Sequence, residues 1–470
     1  MRTPAWLLAV MVSCSSPSAG PSRPPNIVVI YMDDMGYADI GAFGAKAYPT
    51  PHLDRLAREG RVLTDFYVAQ AVCSASRAAL MTGCYNVRVG ILGALGPGAK
   101  IGINSSETTM AEVCKSRGYA TACYGKWHLG DHPQFLPLQH GFDEYYGLPY
   151  SNDMWPLHPT AKNFPDLPLI EGNRVVNPKV GHEEQNQLTR QYTERAVSFI
   201  ERNRERPFFL YVPHSMVHVP LHVSEAFRGK SGAGLFGDVM MEVDDSVGRI
   251  VEAVRRNGLE KETVVVFTSD NGPWLSYGDH AGSARPHREG KGTMFDGGCR
   301  VPAIVWGPGR VPAGTVSREP AMTIDLLPTV ARLIGARLPE LPIDGRDIGP
   351  MLFGEPGAKS PHEAYYFYWG RELQAVRMGR WKLHFPHGHS TLGGREGGKG
   401  GIPAKYDTAR IELSLFDLEK DPGETVDVKA GHPEVVEKIR ALAEGMRKDL
   451  GDSATKQVGS GVRDPGRLSP

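Results

Sequence analysis

Short apolar segments alternate with helix-like segments from residue 26 to about residue 354. The apolar segments are NIVVIYM, YATACYG, PFFLYVP, TVVVFTS and VPAIVWG, and several are apolar at consecutive positions. Strands of this kind are buried on both faces of a sheet. Helical periodicity, mostly ended by a glycine, predicts helices over residues 50–59, 108–117, 187–203, 238–257 and 323–334. The alternation predicts an α/β fold with a large, mostly parallel sheet sandwiched by helices.

The pattern changes after residue 354. EAYYFYW, LQAVRM, WKLHFP and SLFDLEK have the composition of antiparallel strands separated by turns, and residues 433–450 are amphipathic with helical periodicity. We therefore expect a catalytic domain over residues 26–354 and a smaller C-terminal α+β domain, with antiparallel strands and one helix, over residues 355–450. The polar tail, residues 451–470, is expected to be disordered. The glycine-rich segment 387–401 is expected to be a surface loop near the site.

The first 25 residues are predicted to direct export of the chain. Arg2 precedes an apolar run over residues 5–12, and Ser13 stands before Cys14, as in an export signal. The run is too short to span a bilayer as a mature helix. Cys14 and the Ser/Pro/Gly-rich stretch after it resemble the lipid-modified cysteine and tether of a bacterial lipoprotein, and plain secretion is the alternative. We expect a protein of the periplasm or cell envelope, held at the membrane only by a lipid on Cys14, or else secreted.

Charge and cysteine content narrow the classes of function. Lys plus Arg and Asp plus Glu both number 53, so no summed positive charge favours nucleic acid as a partner. The six cysteines have irregular spacing that matches neither a disulfide framework nor a zinc motif. A Cys114–Cys123 bridge is conceivable in an exported protein, but small buried thiols are the simpler interpretation.

Acidic residues follow two of the predicted strands. Asp33 and Asp34 follow NIVVIYM, and Asp270 and Asn271 follow TVVVFTS. Such strand ends meet at one edge of a parallel sheet, where active sites of α/β proteins lie. Adjacent buried carboxylates repel one another unless a cation neutralises them, although an Asp-Asp pair alone is more often an acidic loop. Three carboxylates and an amide oxygen suit Ca²⁺ or Mg²⁺ rather than zinc.

The segment CSASRAALMTG is predicted to be a loop that runs into a short helix. Cys73 would then lie near the helix N-terminus, where the helix dipole favours an anion, with Arg77 one turn further on the same face. This arrangement suits an anionic substrate. Taken alone, however, such a cysteine is more often a small buried residue.

Six motifs, taken together, resemble those of the type I, formylglycine-dependent sulfatases of the alkaline phosphatase superfamily. The signature for oxidation of the cysteine is Cys73-x-Ala75-x-Arg77 followed by Thr82-Gly83. The other motifs, in the expected order, are Asp33-Asp34-Met35-Gly36, GKWHLG from Gly125, HSMVHVP from His214, Asp270-Asn271-Gly272, and Gly290-Lys291-Gly292 before FDGG. The resemblance extends from about residue 26 to residue 424. LPYSND, residues 148–153, makes the chain most similar to the arylsulfatase A branch.

The resemblance implies a nucleophile and a metal site. Cys73 would be oxidised to formylglycine, whose hydrate carries two hydroxyls: one attacks sulfur, and loss of the proton from the other expels sulfate and restores the aldehyde. Asp33, Asp34, Asp270 and Asn271, together with the modified Cys73, would bind one Ca²⁺, with Mg²⁺ less favoured. The ion would polarise the sulfate oxygens and hold the nucleophile.

The resemblance also implies roles for basic residues. Lys126 and Lys291 match the two sulfate-binding lysines of the family. His128 matches the base that assists the second hydroxyl, and it lies two positions from Lys126, so both point to one face of an extended segment. His218 matches the histidine that protonates the departing alcohol, and His214 is a nearby competitor for that role.

Arg77 and Ser151 complete the expected catalytic and substrate-binding residues, with Ser151 as a polar contact near the sulfate. The chain departs from the family at Ala75, where most members have proline. The maturation enzyme reads that position together with Arg77. The resemblance thus implies a formylglycine-generating enzyme as a partner and a small-molecule or glycan sulfate ester as the substrate. Because the chain has Ala75 instead of proline, the sequence does not define which maturation system acts on Cys73.

Two alternative functions compete with sulfate ester hydrolysis. One is hydrolysis of phosphate or phosphonate monoesters by the same superfamily. Two-metal phosphatases add histidine ligands to the aspartates, whereas here Gly272 and Pro273 follow Asn271. The other is a catalytically silent lipoprotein that binds sulfated glycans, which would follow if Cys73 remained a thiol.

Overall fold

The computed structural model describes residues 23–468, which form a large α/β domain and a smaller C-terminal domain. The strands of the described residues are β1 Asn26–Met32, β2 Arg61–Leu63, β3 Phe66–Tyr67, β4 Ile101–Gly102, β5 Ala120–Tyr124, β6 Glu144–Gly147, β7 Leu169–Glu171, β8 Arg174–Asn177, β9 Phe208–Pro213, β10 Thr263–Ser269, β11 Ala303–Trp306, β12 Thr315–Ser317, β13 Ala321–Met322, β14 Tyr365–Trp369, β15 Glu372–Met378, β16 Trp381–His384, β17 His387–Thr391, β18 Asp407–Ile411, β19 Ser414–Asp417 and β20 Gly466–Arg467. Their α-helices are α1 Pro51–Glu59, α2 Cys73–Thr82, α3 Met110–Lys115, α4 His182–Arg202, α5 Gly234–Arg256, α6 Asp296–Cys299, α7 Leu326–Ile334, α8 Gly349–Leu352 and α9 Pro433–Leu450.

A ten-stranded sheet forms the centre of the large domain, in the order β12-β2-β11-β10-β1-β9-β5-β6-β7-β8. The central strands β10, β1, β9, β5 and β6 pair in parallel, which confirms the predicted α/β architecture. Antiparallel pairs flank them on both sides, through β11 and through β7. The sheet is therefore mixed: its centre is parallel, and a further parallel pair, β12 with β2, lies at one edge.

Helices cover both faces of this sheet. Alternate residues of β1 point to opposite sides: Ile27 and Val29 belong to one hydrophobic core, and Val28 and Ile30 belong to the other. Helices α1, α4 and α5 pack into the core of Val28, whereas α2, α3 and α7 pack into the core of Ile27. Because both faces of β1 are covered, its sequence is continuously apolar rather than alternating.

The C-terminal domain is built on an antiparallel sheet in the order β14-β15-β16-β19. Helix α9 packs against β15 and β16. The domain has no separate main core, because Phe367, Val376 and Ile439 belong to the same hydrophobic cluster as Ile27 of the large domain. A shared core holds the two domains in a defined orientation, so residues of both can contribute to one site.

Two C-terminal segments differ from the sequence expectation. The glycine-rich segment, expected to be a loop, begins with β17, which pairs with β18. The tail, expected to be disordered, returns to the large domain as far as it is described: β20 pairs with β4. Arg463 donates to both carboxylate oxygens of the buried Glu107, at 2.6 and 2.7 Å. The polar composition of the tail concealed this partner, which lies far away in the sequence.

The predicted helices are present, although α4 and α5 begin earlier than expected, and the short helices α6 and α8 were not predicted. The first turn of α4 is polar, so apolar periodicity does not reveal it. Glu184 nevertheless stabilises that turn, because its side chain accepts a hydrogen bond from the N–H of Gly181 at 2.9 Å.

Two other expectations concern membrane attachment and the thiols. Cys14 and most of the predicted export segment lie outside the described residues. Among the helices that are described, none has the length and apolar character needed to cross a bilayer. The five described cysteines are free and buried, so Cys114 and Cys123 form no bridge in this structure.

Candidate active site

The ends of β1 and β10 bring the acidic motif residues together. The two strands are paired in register up to Met32 and Ser269, so Asp33 and Asp270 follow side by side. The backbone N–H of Asp34 donates to Oδ1 of Asp270 at 3.1 Å, and Nδ2 of Asn271 donates to Oδ1 of Asp34 at 2.7 Å. All four predicted metal ligands from these strand ends are thus buried and adjacent.

Cys73 is the first residue of α2 and lies beside these carboxylates. Its Sγ is 3.7 Å from Oδ1 of Asp33 and 3.5 Å from Nζ of Lys291. Val72, which precedes the helix, supplies no side-chain cap. The N–H groups of the first helical turn therefore direct their positive end towards the surroundings of Cys73, which favours an anion there.

Arg77, one turn further along α2, connects three parts of the site. Its Nε and Nη2 donate to Oδ2 of Asp270 at 3.1 and 2.8 Å, and Nη1 donates to the carbonyl of Lys126 at 3.0 Å. The guanidinium is fully buried behind the carboxylates. Arg77 therefore holds the acidic residues and the lysine segment in place, rather than lining the cavity itself.

Both predicted sulfate-binding lysines point at the acidic pair. Nζ of Lys126 lies 2.5 Å from Oδ2 of Asp33 and 3.2 Å from Oγ of Ser151, and Nζ of Lys291 lies 2.9 Å from Oδ2 of Asp34.

Gly125 explains how Lys126 reaches this position. It has φ 142°, and a Cβ on it would lie 1.8 Å from the carbonyl oxygen of Pro213 on the neighbouring strand. Only glycine allows this close approach.

The electrostatics of the site favour an additional cation. Burial opposes ionisation of Asp33, but the charges of Lys126, His218 and Arg77 hold the pKa of Asp33 well below its ordinary value. Burial and the charge of Asp33 raise the pKa of Asp270 to about 7, although Arg77 lies against it. The basic side chains thus fully offset the burial of the Asp33 carboxylate but only partly offset that of Asp270. A bound cation would relieve the remaining repulsion between these two carboxylates.

The available oxygen atoms fit a hard metal ion. Oδ1 of Asn271 is buried and has no hydrogen-bond partner among residues 23–468, whereas its Nδ2 group donates to Asp34 and to the carbonyl of Gly272. An unpaired buried acceptor costs about 1–3 kcal/mol, and coordination to an ion such as Ca²⁺ would satisfy it.

The His, Cys and carboxylate atoms that lie close enough to share an ion are not identical to the predicted ligand set. Atoms of Asp33, Asp34, Cys73 and His218 lie within 4.8 Å of one another, so His218 joins this group and Asp270 does not. The two oxygens of Asp270 accept hydrogen bonds from the Asp34 backbone and from Arg77. Asp270 thus remains adjacent to the other predicted ligands.

His128 has the environment of a neutral base. Its Nε2 lies 2.8 Å from the carbonyl of Leu95 and donates to it, whereas Nδ1 is buried without a partner among the described residues. Burial and the nearby charge of Lys126 lower the pKa of His128 well below its ordinary value.

Asp34 and His128 both have left-handed backbone conformations, with φ of 59° and 61°. Such conformations in residues other than glycine cost roughly 1–3 kcal/mol each and are typical of functional sites.

The structure distinguishes the two competing histidines. Nε2 of His218 lies 3.5 Å from Oδ2 of Asp34, and its Nδ1 hydrogen-bonds the carbonyl of Val219. Burial opposes protonation, but the charges of Asp34 and Asp33 raise the pKa of His218 to about 9. His214 instead hydrogen-bonds Ser246 of α5 at 3.1 Å, and burial lowers its pKa to about 4. His218, not His214, belongs to the site.

A cavity of about 220 Å³ opens above these groups. Its lining includes Cys73, His128, Ser151, His218 and Lys291. Sequence reasoning assigned no individual role to four further lining side chains, which are Asp153, Met154, Trp274 and Trp369. Asp153 ends the LPYSND motif and Met154 comes directly after it, so their closeness to Ser151 was the signal for them. Trp369 comes from the C-terminal domain, and its sequence neighbours indicate only a strand.

Comparison with known proteins agrees with this geometry. Residues 25–336 match the Sulfatase family, and residues 360–465 match the C-terminal region of aryl-sulfatase. Arylsulfatase A of Bos taurus is 39% identical, over 93% of this chain and 90% of that protein. N-acetylgalactosamine-6-sulfatase of Sus scrofa is 36% identical, over 93% of this chain and 88% of that protein.

A solved structure shares the fold over nearly the whole chain. The PsFucS1 sulfatase from Pseudoalteromonas sp. has a TM-score of 0.81 and 30% identity, and the match covers 91% of each chain. The matched family region contains every acidic, basic and cysteine residue of the site described above. The chain therefore belongs to the sulfatase family and is a sulfuric ester hydrolase.

Proposed function

We propose that the protein hydrolyses sulfate monoesters with a formylglycine formed from Cys73 and one Ca²⁺ ion. The observation that carries this proposal is the position of Cys73 at the uncapped N-terminus of α2, with Sγ 3.7 Å from Asp33 and 3.5 Å from Lys291. The hydrated aldehyde would supply both the nucleophilic hydroxyl and the second hydroxyl whose deprotonation releases sulfate.

The ion would be held by Asp33, Asp34, Asp270 and Asn271, together with the modified side chain of residue 73. The unpartnered Oδ1 of Asn271 and the raised pKa of Asp270 support this assignment. Bound Ca²⁺ would polarise the sulfate oxygens. Three carboxylates and an amide oxygen form a largely protein-made set of hard ligands, which suits Ca²⁺ better than Mg²⁺, since Mg²⁺ is usually bound through only one or two carboxylates.

The remaining residues act on the substrate. Lys126 and Lys291 bind the sulfate oxygens, and Ser151 orients Lys126 through its 3.2 Å contact. His218, aligned by its hydrogen bond to Val219, donates the proton to the departing alcohol. His128 accepts a proton at Nδ1, because Nε2 is already committed to Leu95. Arg77 positions Asp270 and Lys126 rather than touching the substrate.

Maturation requires a formylglycine-generating enzyme that acts before folding is complete. The whole of α2, including Cys73, Ala75 and Arg77, is buried in the folded chain. An enzyme that reads these side chains can therefore reach them only while the segment is extended. Ala75 fills a fully buried position, so the folded structure accepts alanine there.

The proposal is tested by the mass of the tryptic peptide that covers residues 62–77, taken from protein made in a host with a formylglycine-generating enzyme. The thiol-to-aldehyde loss of mass is expected, together with turnover of 4-nitrophenyl sulfate far above that of 4-nitrophenyl phosphate. An unmodified thiol in an active protein would refute the formylglycine mechanism. Equal or faster phosphate turnover would favour the phosphate monoester hydrolase.

We also propose export with a lipid attached at Cys14, on the basis of the N-terminal sequence. A Cys14→Ser variant of the full chain should move from the membrane fraction to the soluble exported fraction. An unchanged distribution would exclude the lipid anchor and leave plain secretion.

A further inference from the structure

Two indole side chains from different domains form the exposed part of the cavity wall. Trp274 follows the β10 end in the large domain, and its ring lies 4.4 Å from Nζ of Lys291 and 5.6 Å from the ring of His218. Trp369 ends β14 in the C-terminal domain and is 38% exposed. Its Cη2 lies 3.8 Å from the position that a Cβ on Gly292 would occupy. Trp274 therefore lies next to the groups assigned to the sulfate and to the departing oxygen, and Trp369 lines the same cavity beside Gly292, the residue after Lys291.

Asp153 contributes a carboxylate to the same cavity without belonging to the metal cluster. It is 7% exposed, and its Oδ1 is buried without a hydrogen-bond partner in the described part of the chain. Its Oδ2 lies 3.7 Å from Nε2 of His158. No lysine or arginine among residues 23–468 forms an ion pair with it. This cavity-lining carboxylate thus has one oxygen that no group of the described residues satisfies.

The chemistry of a free carboxylate oxygen restricts what this ligand can be. A buried acceptor without a donor is unfavourable, so a ligand that supplies an O–H or N–H provides the hydrogen bond that the free protein lacks. A negative charge at this point repels sulfate, phosphate or carboxylate groups of the ligand. The donor must therefore belong to the alcohol part of the ester, at a place without a second anionic group.

We propose that Asp153, Trp274 and Trp369 form the subsite for the alcohol part, and that this subsite takes one neutral sugar ring. A hydroxyl or amide N–H of the ring donates to the carboxylate of Asp153, and the apolar face of the ring packs against the indoles. The cavity volume of about 220 Å³ lies below the usual range for ligand pockets, about 300–1,000 Å³, and therefore favours one ring over a longer chain. This inference rests on the proposed function, because the sulfate must lie against Cys73 and the two lysines.

The test compares two kinds of substrate in the mature, metal-loaded enzyme. The sugar substrates are the 6-sulfates of galactose, glucose and N-acetylgalactosamine, and the reference is 4-nitrophenyl sulfate, whose ring carries no O–H or N–H donor. The readout is the selectivity ratio, which is kcat/KM for the best sugar sulfate divided by kcat/KM for the aryl sulfate. Asp153→Leu should lower this ratio at least about tenfold, since a site built for a hydrogen bond discriminates strongly.

Conservative and distant variants separate recognition from a structural effect. Asp153→Asn keeps an oxygen acceptor of the same shape and should retain most of the ratio. Asp166→Asn changes an exposed carboxylate that faces only Lys179 at 3.6 Å and should leave the ratio unchanged. Trp369→Ala alters a partly exposed side chain at a strand end, so it should fold and raise the KM for the sugar sulfate several-fold.

Other outcomes would overturn the inference. An unchanged ratio in Asp153→Leu, or an equal loss on both kinds of substrate, would mean that Asp153 acts on the catalytic groups and not on the sugar. Turnover of the aryl sulfate without any of the sugar sulfates would refute the sugar subsite alone. Absence of turnover of every sulfate ester by the mature wild-type enzyme would refute the proposed function as well.

Discussion

The molecule contains two buried clusters of opposite charges that resemble each other in composition but differ in use. The active-site cluster consists of Asp33, Asp34, Asp270, Arg77, Lys126 and Lys291. The interdomain cluster consists of Asp65, Asp296 and Arg300 from the large domain and Arg377, Lys382 and Glu424 from the C-terminal domain. Each has three carboxylates and three basic side chains, and all of them are buried except Lys291, which is partly buried.

The clusters differ in where their unpartnered neighbours lie. In the interdomain cluster, Lys382 contacts Asp296 at 2.7 Å and Glu424 at 3.1 Å, and the charged atoms of all six members have partners. The neighbouring His384, which hydrogen-bonds Glu424, is fully buried and has an unpartnered Nδ1 among the described residues. Around the active-site cluster, His128 Nδ1 and Asp153 Oδ1 are also unpartnered in that part of the chain, but these two residues line a cavity. Buried charge and unpartnered atoms occur at both clusters, so unpartnered groups identify a site only where they line a cavity.

The largest expected effect comes from removing the nucleophile. Cys73→Ser should lower sulfate ester turnover by roughly 10⁴-fold, because an ordinary hydroxyl has no second hydroxyl with which to expel the sulfate. Steady-state kinetics with 4-nitrophenyl sulfate measures this. Cys84→Ser, at the other end of α2 and next to the carbonyl oxygens of Thr82 and Pro342, should keep nearly full activity. Comparable activity in both variants would remove Cys73 from the mechanism.

Breaking the interdomain cluster should affect stability. Lys382→Met leaves the fully buried Asp296 and Glu424 without their shared cation, which should lower the free energy of unfolding by about 3–5 kcal/mol. Denaturant unfolding monitored by fluorescence measures it. Lys438→Met, in an exposed pair with Glu363 at 3.0 Å, should change stability by less than about 1 kcal/mol. A similar small effect for Lys382→Met would show that the interdomain pairs contribute little.

Changing a proposed metal ligand should affect ion binding. Asn271→Ala removes the unpartnered Oδ1, so Ca²⁺ affinity should fall by about 100-fold, as measured by calorimetry on protein stripped with a chelator. The exposed Asn173→Ala serves as the control. Equal affinity in the two variants would mean that Asn271 does not hold the ion and that the active-site cluster is satisfied in some other way.

The smallest expected effect concerns the tail, outside both clusters. Arg463→Ala leaves the buried Glu107 without its partner and should lower the free energy of unfolding by about 1–3 kcal/mol. Arg467→Ala breaks only an exposed contact with Asp464 at 3.4 Å and should be nearly neutral. If the two variants behaved alike in thermal unfolding, the tail would contribute nothing to the stability of the large domain.

Local patterns determined much of the fold and of the site. β1 and β10 coincide with the runs NIVVIYM and TVVVFTS, since a strand buried on both faces is apolar at most consecutive positions. Once these strands pair in parallel, Asp33 and Asp270 must lie side by side. Helix α9 also occupies residues 433–450, as its amphipathic pattern predicts. The order of the motifs was sufficient to recognise the sulfatase family.

Tertiary structure alone decided which partner each polar residue meets. His214 and His218 lie four positions apart in one segment, yet one hydrogen-bonds a helix and the other faces Asp34. Trp369 reaches the cavity only because the C-terminal domain shares a core with the large domain. The tail is bound through a contact between Arg463 and Glu107, which lie far apart in the chain. Apolar periodicity depends on neighbours within one element, whereas these polar contacts join elements that are distant in sequence, so no local pattern records them.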